Sequence, residues 1–322
     1  MRAIRVHEVG GPEAMRLEDV QLPPPGPGEA RVRHRAIGLN YIDVYYRTGH
    51  YPSQAPFTPG SEGAGDVVAV GPGVKGFKLG DRVAYVSRTG AYAEEANVAV
   101  TALVRLPQAI SYETAAAAML KGLTAQYLLR QTYRVKKGDT ILVHAAAGGV
   151  GLILCQWGKA LGATVIGTVG SPDKAAMAKK AGAAHTILYR EEDFAARVVE
   201  ITKGAKCHVV YDGVGKATFP ASLDCLRPLG MFASYGSASG AIENFNLALL
   251  AQKGSLFATR PSLFTFLADR ARYERMARDL FSVLRSNAVK VKIGARLPLA
   301  EAARAHEALE ARATSGSTVF LP

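Results

Sequence analysis

Residues 144–151 read His144-Ala145-Ala146-Ala147-Gly148-Gly149-Val150-Gly151, directly after the apolar run Thr140-Ile141-Leu142-Val143. Ala145, Gly148 and Gly151 fall at the three small positions of an A-x-x-G-x-x-G turn. Small residues there let a strand pass tightly into a helix and leave bare backbone N–H groups facing outward, which is how a chain holds a pyrophosphate. A glycine-rich turn alone is weak evidence. This one has its strand before it and an apolar helical stretch after it (Leu152, Ile153, Cys155, Trp157, Ala160, Leu161), which disfavours a mere packing turn. Ala145, Gly148, Gly149, Val150 and Gly151 are therefore candidate contacts to a dinucleotide.

The dinucleotide's type is read at the end of the second strand. NAD sites carry an Asp or Glu there, about 20 residues past the glycine turn, to hold the ribose 2′-OH. Here the segment is Gly167-Thr168-Val169-Gly170-Ser171-Pro172-Asp173-Lys174. The strand ends in Gly170-Ser171, and Lys174 is the first cation able to meet a 2′-phosphate, although a solvated helix lysine is the competing reading. Asp173 fits the start of the next helix, where a carboxylate complements the helix dipole. Tyr189, beyond the third strand, is placed either at the same phosphate or beside the adenine. These residues predict NADPH.

A third chemical feature is the tyrosine cluster Tyr41, Tyr45, Tyr46 and Tyr51. Tyrosine combines an apolar face for a flat ring with an O–H donor for a carbonyl oxygen. A core or interface cluster has the same composition, so both readings stand at this point. Asn40, Tyr45 and Tyr51 are the candidates for holding an electron-poor acceptor and the charge that develops on its oxygen.

The elements that must position these groups follow from periodicity. The first third is punctuated by turns such as Leu22-Pro23-Pro24-Pro25-Gly26-Pro27-Gly28 and Val70-Gly71-Pro72-Gly73, with short β-type runs at 30–36, 65–70 and 81–85. This texture predicts a compact β-rich domain. The run 113–129 is alanine- and leucine-rich and predicts helix. From about 139 to 259, strands at 140–144, 164–169, 185–188, 208–211, 231–235 and 255–258 alternate with helices at 150–161, 173–181, 192–203, 217–226 and 246–252. Such alternation predicts a doubly wound parallel sheet. A long basic helix at 263–286, a strand near 289–293, a helix at 300–311 and a strand at 318–321 complete the chain. The predicted class is α/β, with a β-rich domain at 1–122 and 260–322, a nucleotide-binding domain at 123–259, and the cofactor in the cleft between them.

In such sheets ligands bind beyond the carboxyl ends of the strands. Gly213, Val214, Tyr235, Gly236 and Ser237 occupy those ends after the fourth and fifth strands, and Arg260, Pro261 and Ser262 follow the sixth. Thr124 and Tyr127 are expected at the start of the helix entering the nucleotide-binding domain. Arg260 has a second reading, as a tie between the domains.

Composition bounds the rest. The chain has 322 residues, 48% apolar and 20% charged, with three cysteines and a formal charge of +12. The length suits two domains, and the composition excludes a disordered chain. Cys155, Cys207 and Cys225 are widely spaced and odd in number, against a disulfide framework or a four-thiolate zinc site. No apolar leader opens the chain and no stretch approaches the ~18 apolar residues of a membrane span, so a cytoplasmic protein is expected. The charge lacks a basic run or a basic–aromatic repeat, which makes a dedicated nucleic-acid binder a poor expectation.

With these pieces assembled, the whole chain resembles the zinc-free quinone oxidoreductases of the medium-chain dehydrogenase/reductase superfamily, which include the zeta-crystallins. The segments that carry the resemblance are Ala36-Ile37-Gly38-Leu39-Asn40-Tyr41-Ile42-Asp43, Gly60-Ser61-Glu62-Gly63-Ala64-Gly65, Lys121-Gly122-Leu123-Thr124, the 144–151 turn, Val209-Val210-Tyr211-Asp212-Gly213-Val214-Gly215 and Ala258-Thr259-Arg260-Pro261-Ser262. The resemblance implies a GroES-like catalytic domain, a Rossmann domain and a homodimer paired near 245–256. It assigns Lys174, Tyr189 and Arg312 to NADPH, Asn40, Tyr45 and Tyr51 to the acceptor, and the 235–237 and 260–262 segments to the nicotinamide side. The zinc-dependent relatives place a cysteine where this chain has Asn40 and a histidine where it has Ser61, and Asn and Ser are poor zinc ligands. None of His7, His34, His50, His144, His185, His208 and His306 has a ligand-type partner in sequence, and all are read as ordinary histidines. No metal is expected. The implied activity is NADPH-dependent reduction of a quinone, by hydride or single-electron transfer. Reduction of 2-alkenals or enones is the alternative in the same fold. RNA association, known among zeta-crystallins, is the alternative of another class.

Overall fold

The computed structural model describes residues 1–322. The chain divides into two compact units, one of Met1–Lys121, Ala277–Arg285 and Val291–Pro322, the other of Gly122–Met276 and Ser286–Lys290. The expected division put the return at 260; residues 260–276 instead cluster with the second unit.

The first unit begins with strands β1 (Arg2–Val6) and β2 (Met15–Asp19), an antiparallel pair. Then come β3 (Glu29–Gly38), helix α1 (Tyr41–Arg47), β4 (Glu62–Val70), β5 (Arg82–Val86), β6 (Glu95–Ala99) and β7 (Leu103–Arg105). The alternation of buried and less buried positions along β3 is that of a strand with one face on a core. That face packs Ala30, Val32 and Ile37 with Val67, Val83, Tyr85 and Tyr92. Helix α2 (Tyr112–Tyr127) leads the chain onward, its four alanines Ala115–Ala118 fully buried.

The second unit carries β8 (Thr140–Val143), α3 (Gly149–Ala160), β9 (Thr164–Val169), α4 (Pro172–Lys180), β10 (His185–Leu188), α5 (Phe194–Ile201), β11 (Cys207–Asp212), β12 (Leu226–Ser234), α6 (Ala248–Gln252) and β13 (Phe257–Thr259). Its six strands lie in the order β10-β9-β8-β11-β12-β13, every neighbouring pair parallel. This is the expected doubly wound sheet, whose strand order reverses beside β8. Leu142, Ile166, Val210 and Phe232 form its core.

Two helices differ from expectation. The stretch 217–226 holds only a short 3₁₀ turn, Ala221–Cys225, because Pro220 has no N–H to continue a helix. The basic helix expected at 263–286 is two helices, α7 (Leu263–Leu267) and α8 (Arg270–Arg285). Asp269 Oδ1 accepts the Arg272 N–H at 2.7 Å, a helix cap that starts α8 afresh.

The first unit is completed by β14 (Ile293–Pro298), α9 (Ala302–Glu310) and β15 (Ser317–Leu321). The strand expected at 289–293 begins only at Ile293. Before it, Lys290 is held instead to α3, its N–H donating to Gln156 Oε1 at 2.8 Å and its carbonyl accepting from Gln156 Nε2 at 3.1 Å. The full first-unit sheet runs β14-β15-β3-β4-β5-β7, with β6 also on β3.

Candidate active site

The glycine turn has the form expected of a pyrophosphate cradle. Gly148 occupies the N-cap of α3 and brings no side-chain cap, so the first N–H groups of the helix are left to a ligand. A Cβ on Gly151 would stand 2.3 Å from the Ala145 carbonyl oxygen, so only glycine lets the helix pass this close. Ala145 itself takes φ 51°, the left-handed region where glycine is commoner. Below the turn, buried His144 is fixed by Thr168 Oγ1 at 2.8 Å and Ser222 Oγ at 2.9 Å. Burial lowers its pKa, so it is a neutral strut.

At the end of β9, Ser171 caps α4 by accepting the Lys174 N–H at 3.4 Å, and Lys174 stands in the first turn of that helix. Tyr189 returns from β10 with its N–H on the Val169 carbonyl at 3.2 Å. A Cβ on Gly170 would be 3.1 Å from the Tyr189 hydroxyl and 3.4 Å from Arg190 Nε. The sequence singled out Gly170, Ser171, Lys174 and Tyr189 here, and missed Arg190.

The turns after β11 and β12 are interlocked. Asp212 Oδ1 accepts the N–H of Val214 at 2.7 Å and of Gly215 at 3.1 Å, while its carbonyl accepts from Tyr235 N at 2.8 Å. A Cβ on Gly213 would meet the Tyr235 ring, and one on Gly236 would be 2.6 Å from the Gly213 carbonyl. Gly213, Val214, Tyr235, Gly236 and Ser237 are thus one surface at the strand ends. Arg260 donates to the Ser234 carbonyl at 3.1 Å, fastening the end of β13 to that of β12 inside the second unit. Pro261 and Ser262 follow it into α7.

Thr124 and Tyr127 are not at the start of a helix. They close α2, the alanine-rich stretch being one continuous helix from Tyr112, and both are buried. The Tyr127 ring stacks on Phe266 at 4.5 Å, which makes it a core residue of the second unit.

In the first unit, Asn40 caps α1. Its Nδ2 donates to Glu62 Oε1 at 2.7 Å and toward the Gly38 carbonyl at 3.4 Å. Lys121 Nζ shares the same Glu62 oxygen at 3.0 Å and reaches the Leu39 carbonyl at 3.0 Å. All three side chains are buried. Beside them Asp43 accepts from Ser61 Oγ at 2.7 Å, from Asn40 N at 2.9 Å and from the Tyr92 hydroxyl at 2.9 Å. Burial pushes Asp43 up to about 6, against those hydrogen bonds. Asn40 and Glu62 are therefore engaged with each other and Ser61 with Asp43 and the Arg88 carbonyl, and no group of three or more His, Cys, Asp or Glu stands where it could hold a metal ion. These residues do not fit zinc.

Asn40 keeps its place beside the site, but its amide donor is spent on Glu62. Tyr45 and Tyr51 are the other two residues expected at the acceptor. After α1 the chain turns at Gly49, φ 77°, and the Tyr51 N–H returns to the Tyr45 carbonyl at 3.0 Å. The two rings meet edge to face at 5.1 Å. His50 completes the group, 4.9 Å from Tyr45 and stacked on Tyr51 at 5.3 Å. His50 is thus an exposed surface histidine, as expected, but one set between two half-buried phenols. Tyr41 lies on the other side of Tyr45 at 5.3 Å, and Arg312 follows α9 at φ 57°.

Comparison with known proteins bears on this arrangement as a whole. Residues 26–135 match the alcohol dehydrogenase GroES-like domain family and residues 149–280 the zinc-binding dehydrogenase family. A quinone oxidoreductase of Pseudomonas aeruginosa is 54% identical over 100% of this chain and 99% of its own. The chain belongs to the zinc-free quinone oxidoreductases of the medium-chain dehydrogenase/reductase superfamily. The crystal structure of Escherichia coli quinone oxidoreductase complexed with NADPH superposes with a TM-score of 0.98 at 49% identity, covering 100% of both chains. A 2-haloacrylate reductase of Burkholderia is 44% identical over 98% of each chain. The family matched by residues 149–280 is named for zinc, but Asn40, Ser61 and Glu62 offer no zinc ligand set.

Proposed function

We infer that this chain reduces quinones with NADPH, without zinc. The observation that carries the reading is whole-length similarity to quinone oxidoreductases in a chain whose α3 N-terminus is bare at the Ala145–Gly151 turn. NADPH, when bound, supplies the reducing hydride or electrons. The chain's own residues have separate tasks. The first N–H groups of α3 hold the pyrophosphate. Ser171, Lys174 and Tyr189 take the 2′-phosphate, with Arg312 as a further contact. The turns at 213–214, 235–237 and 260–262 line the nicotinamide side. Tyr45 and Tyr51 offer ring faces to a flat acceptor and hydroxyl donors to the oxygen on which charge develops. A quinone is electrophilic enough to need no metal, and water returns the proton to the reduced oxygen.

The second reading is reduction of an activated C=C bond, favoured by the 44% identity to a 2-haloacrylate reductase. Turnover with 1,4-benzoquinone, 2-chloroacrylate and a 2-alkenal, each with NADPH and with NADH, separates the two. Quinone turnover with NADPH supports the first; turnover of the unsaturated acids or aldehydes alone replaces it with the second. RNA association remains the reading of another class, supported by the charge of +12. Steeply salt-dependent RNA binding without quinone turnover would favour it.

A homodimer fits the free edge of the second unit's sheet. β13 pairs only with β12, and exposed Phe257, Leu247 and Leu229 belong to that end of the sheet sequence. Phe257→Glu with Leu247→Glu is expected to yield a monomer in sedimentation, and an unchanged mass overturns this pairing. Three buried free thiols suit a reducing, cytoplasmic setting.

A further inference from the structure

The end of β9 is where a Rossmann sheet tells NAD from NADP, normally by an acidic side chain that hydrogen-bonds the ribose. In this chain that position, Gly170, has no side chain. The space a side chain would take is bordered by two donors from the following crossover, the Tyr189 hydroxyl at 3.1 Å and Arg190 Nε at 3.4 Å from an ideal Cβ. The Tyr189–Val169 backbone bond sets this register, so the approach is built into the pairing of β9 and β10.

Arg190 is exposed and has no carboxylate partner. Glu192, two residues on, is already taken by the Leu188 N–H at 2.8 Å and by Arg197 at 2.8 Å. An unpaired guanidinium beside a hydroxyl, over a glycine and next to the helix that carries Lys174, is a combination suited to a phosphate monoester. The guanidinium fork matches phosphate oxygens in a way a lysine ammonium does not.

We propose that Arg190 contacts the 2′-phosphate of NADPH together with Tyr189, and that this contact sets much of the preference for NADPH over NADH. The proposal rests on NADPH being the cofactor, as argued above. Lys174 supplies the charge from the α4 side and Arg190 from the β10 side, so a dianionic phosphate meets a cation on each flank. NADH, with a bare 2′-OH, gains little from either.

The test is the ratio of NADH to NADPH dissociation constants, measured by quenching of protein fluorescence, for the wild type, Arg190→Gln, Arg190→Lys and Lys174→Gln. Competition by 2′-phospho-AMP and AMP serves as a second probe. Arg190→Gln is expected to lower the preference for NADPH about 10-fold, as for loss of one charge-assisted hydrogen bond. Arg190→Lys should restore part of it, and 2′-phospho-AMP should lose its advantage over AMP in step. A preference left intact by Arg190→Gln but reduced by Lys174→Gln overturns the role of Arg190 alone. Equal weakening of NADPH and NADH assigns Arg190 to structure and overturns it too. A wild type with no preference between the two cofactors overturns the cofactor reading itself.

Discussion

Asn40 Nδ2 stands 2.7 Å from Glu62 Oε1, and the Lys121 ammonium stands 3.0 Å from the same oxygen. Glu62 also accepts the Leu120 N–H at 2.7 Å, so a fully buried carboxylate has all its charge met by donors of its own unit. This cluster fixes the entry to α1 and with it the tyrosines. Removing one partner strands the other: Lys121→Met leaves the Glu62 charge uncompensated and is expected to cost about 3–5 kcal/mol. The double variant Glu62→Gln, Lys121→Met should recover part of the loss. Urea unfolding of the wild type, each single variant and the double variant checks this. Additive losses in the double variant would mean that the pair is not coupled.

With the Asn40 amide engaged, Tyr45 and Tyr51, whose rings meet at 5.1 Å, are the residues proposed to serve the acceptor. Replacing both by Phe keeps the ring faces and deletes the donors. Turnover with 1,4-benzoquinone is expected to fall about 10²-fold, the scale for losing oxyanion donors, while NADPH affinity stays near wild type. A fall in NADPH affinity instead would place these hydroxyls at the cofactor.

His50, stacked on Tyr51 at 5.3 Å, is expected to act on the acceptor through shape. His50→Leu is expected to raise the KM for an aromatic quinone by about 2- to 10-fold, the worth of one aromatic contact. His50→Phe should restore it. Equal KM values in all three proteins would make the imidazole a bystander.

Local spacing made the fold around the candidate cofactor turn readable. The Ala145–Gly151 turn is a contiguous pattern, and the β–α alternation around it fixes the sheet. What escaped the sequence depends on where the chain returns. Arg190 reaches Gly170 only through the register of β9 with β10. His50 joins the tyrosines only because the chain folds back at Gly49. The engagement of Asn40 depends on Glu62 and Lys121, remote in sequence and brought in by β4 and α2. The break at Asp269 was hidden inside a continuous basic amphipathic pattern, because a cap outweighs periodicity at a helix junction.

Gly151 offers the sharpest test of the cradle. A methyl group there meets the Ala145 carbonyl oxygen at 2.3 Å and the Ala146 Cα at 2.8 Å, both backbone atoms that cannot turn aside. Gly151→Ala must push α3 from β8 and spread the N–H groups that face the pyrophosphate. We expect NADPH affinity to fall by about 10-fold or more, with stability reduced by about 1–3 kcal/mol. Gly148→Ala, whose Cβ would sit 3.1 Å from the Ala145 oxygen, should be milder. If Gly151→Ala binds NADPH as the wild type does, the pyrophosphate does not lie on this turn.

Acid sensitivity follows from the buried histidines. Burial holds His306 down at about 3, helped by the Arg47 guanidinium, and holds His34 down at about 4. Burial also lowers His144. In the unfolded chain each imidazole takes a proton near its ordinary value of about 6.5. As pH falls below that value the unfolded state binds protons that the folded state refuses, so stability is lost. Asp43 acts in the opposite sense: pushed up to about 6, it binds a proton in the folded state that the unfolded chain releases down to about 4. Three imidazoles outnumber one carboxylate, and the unfolding free energy should fall by at least about 1.4 kcal/mol per pH unit between pH 6 and pH 4.5. His306→Gln should reduce that slope by about one proton. Urea unfolding across this range measures both; a slope that is flat or reversed would mean that the imidazoles accept protons inside the fold.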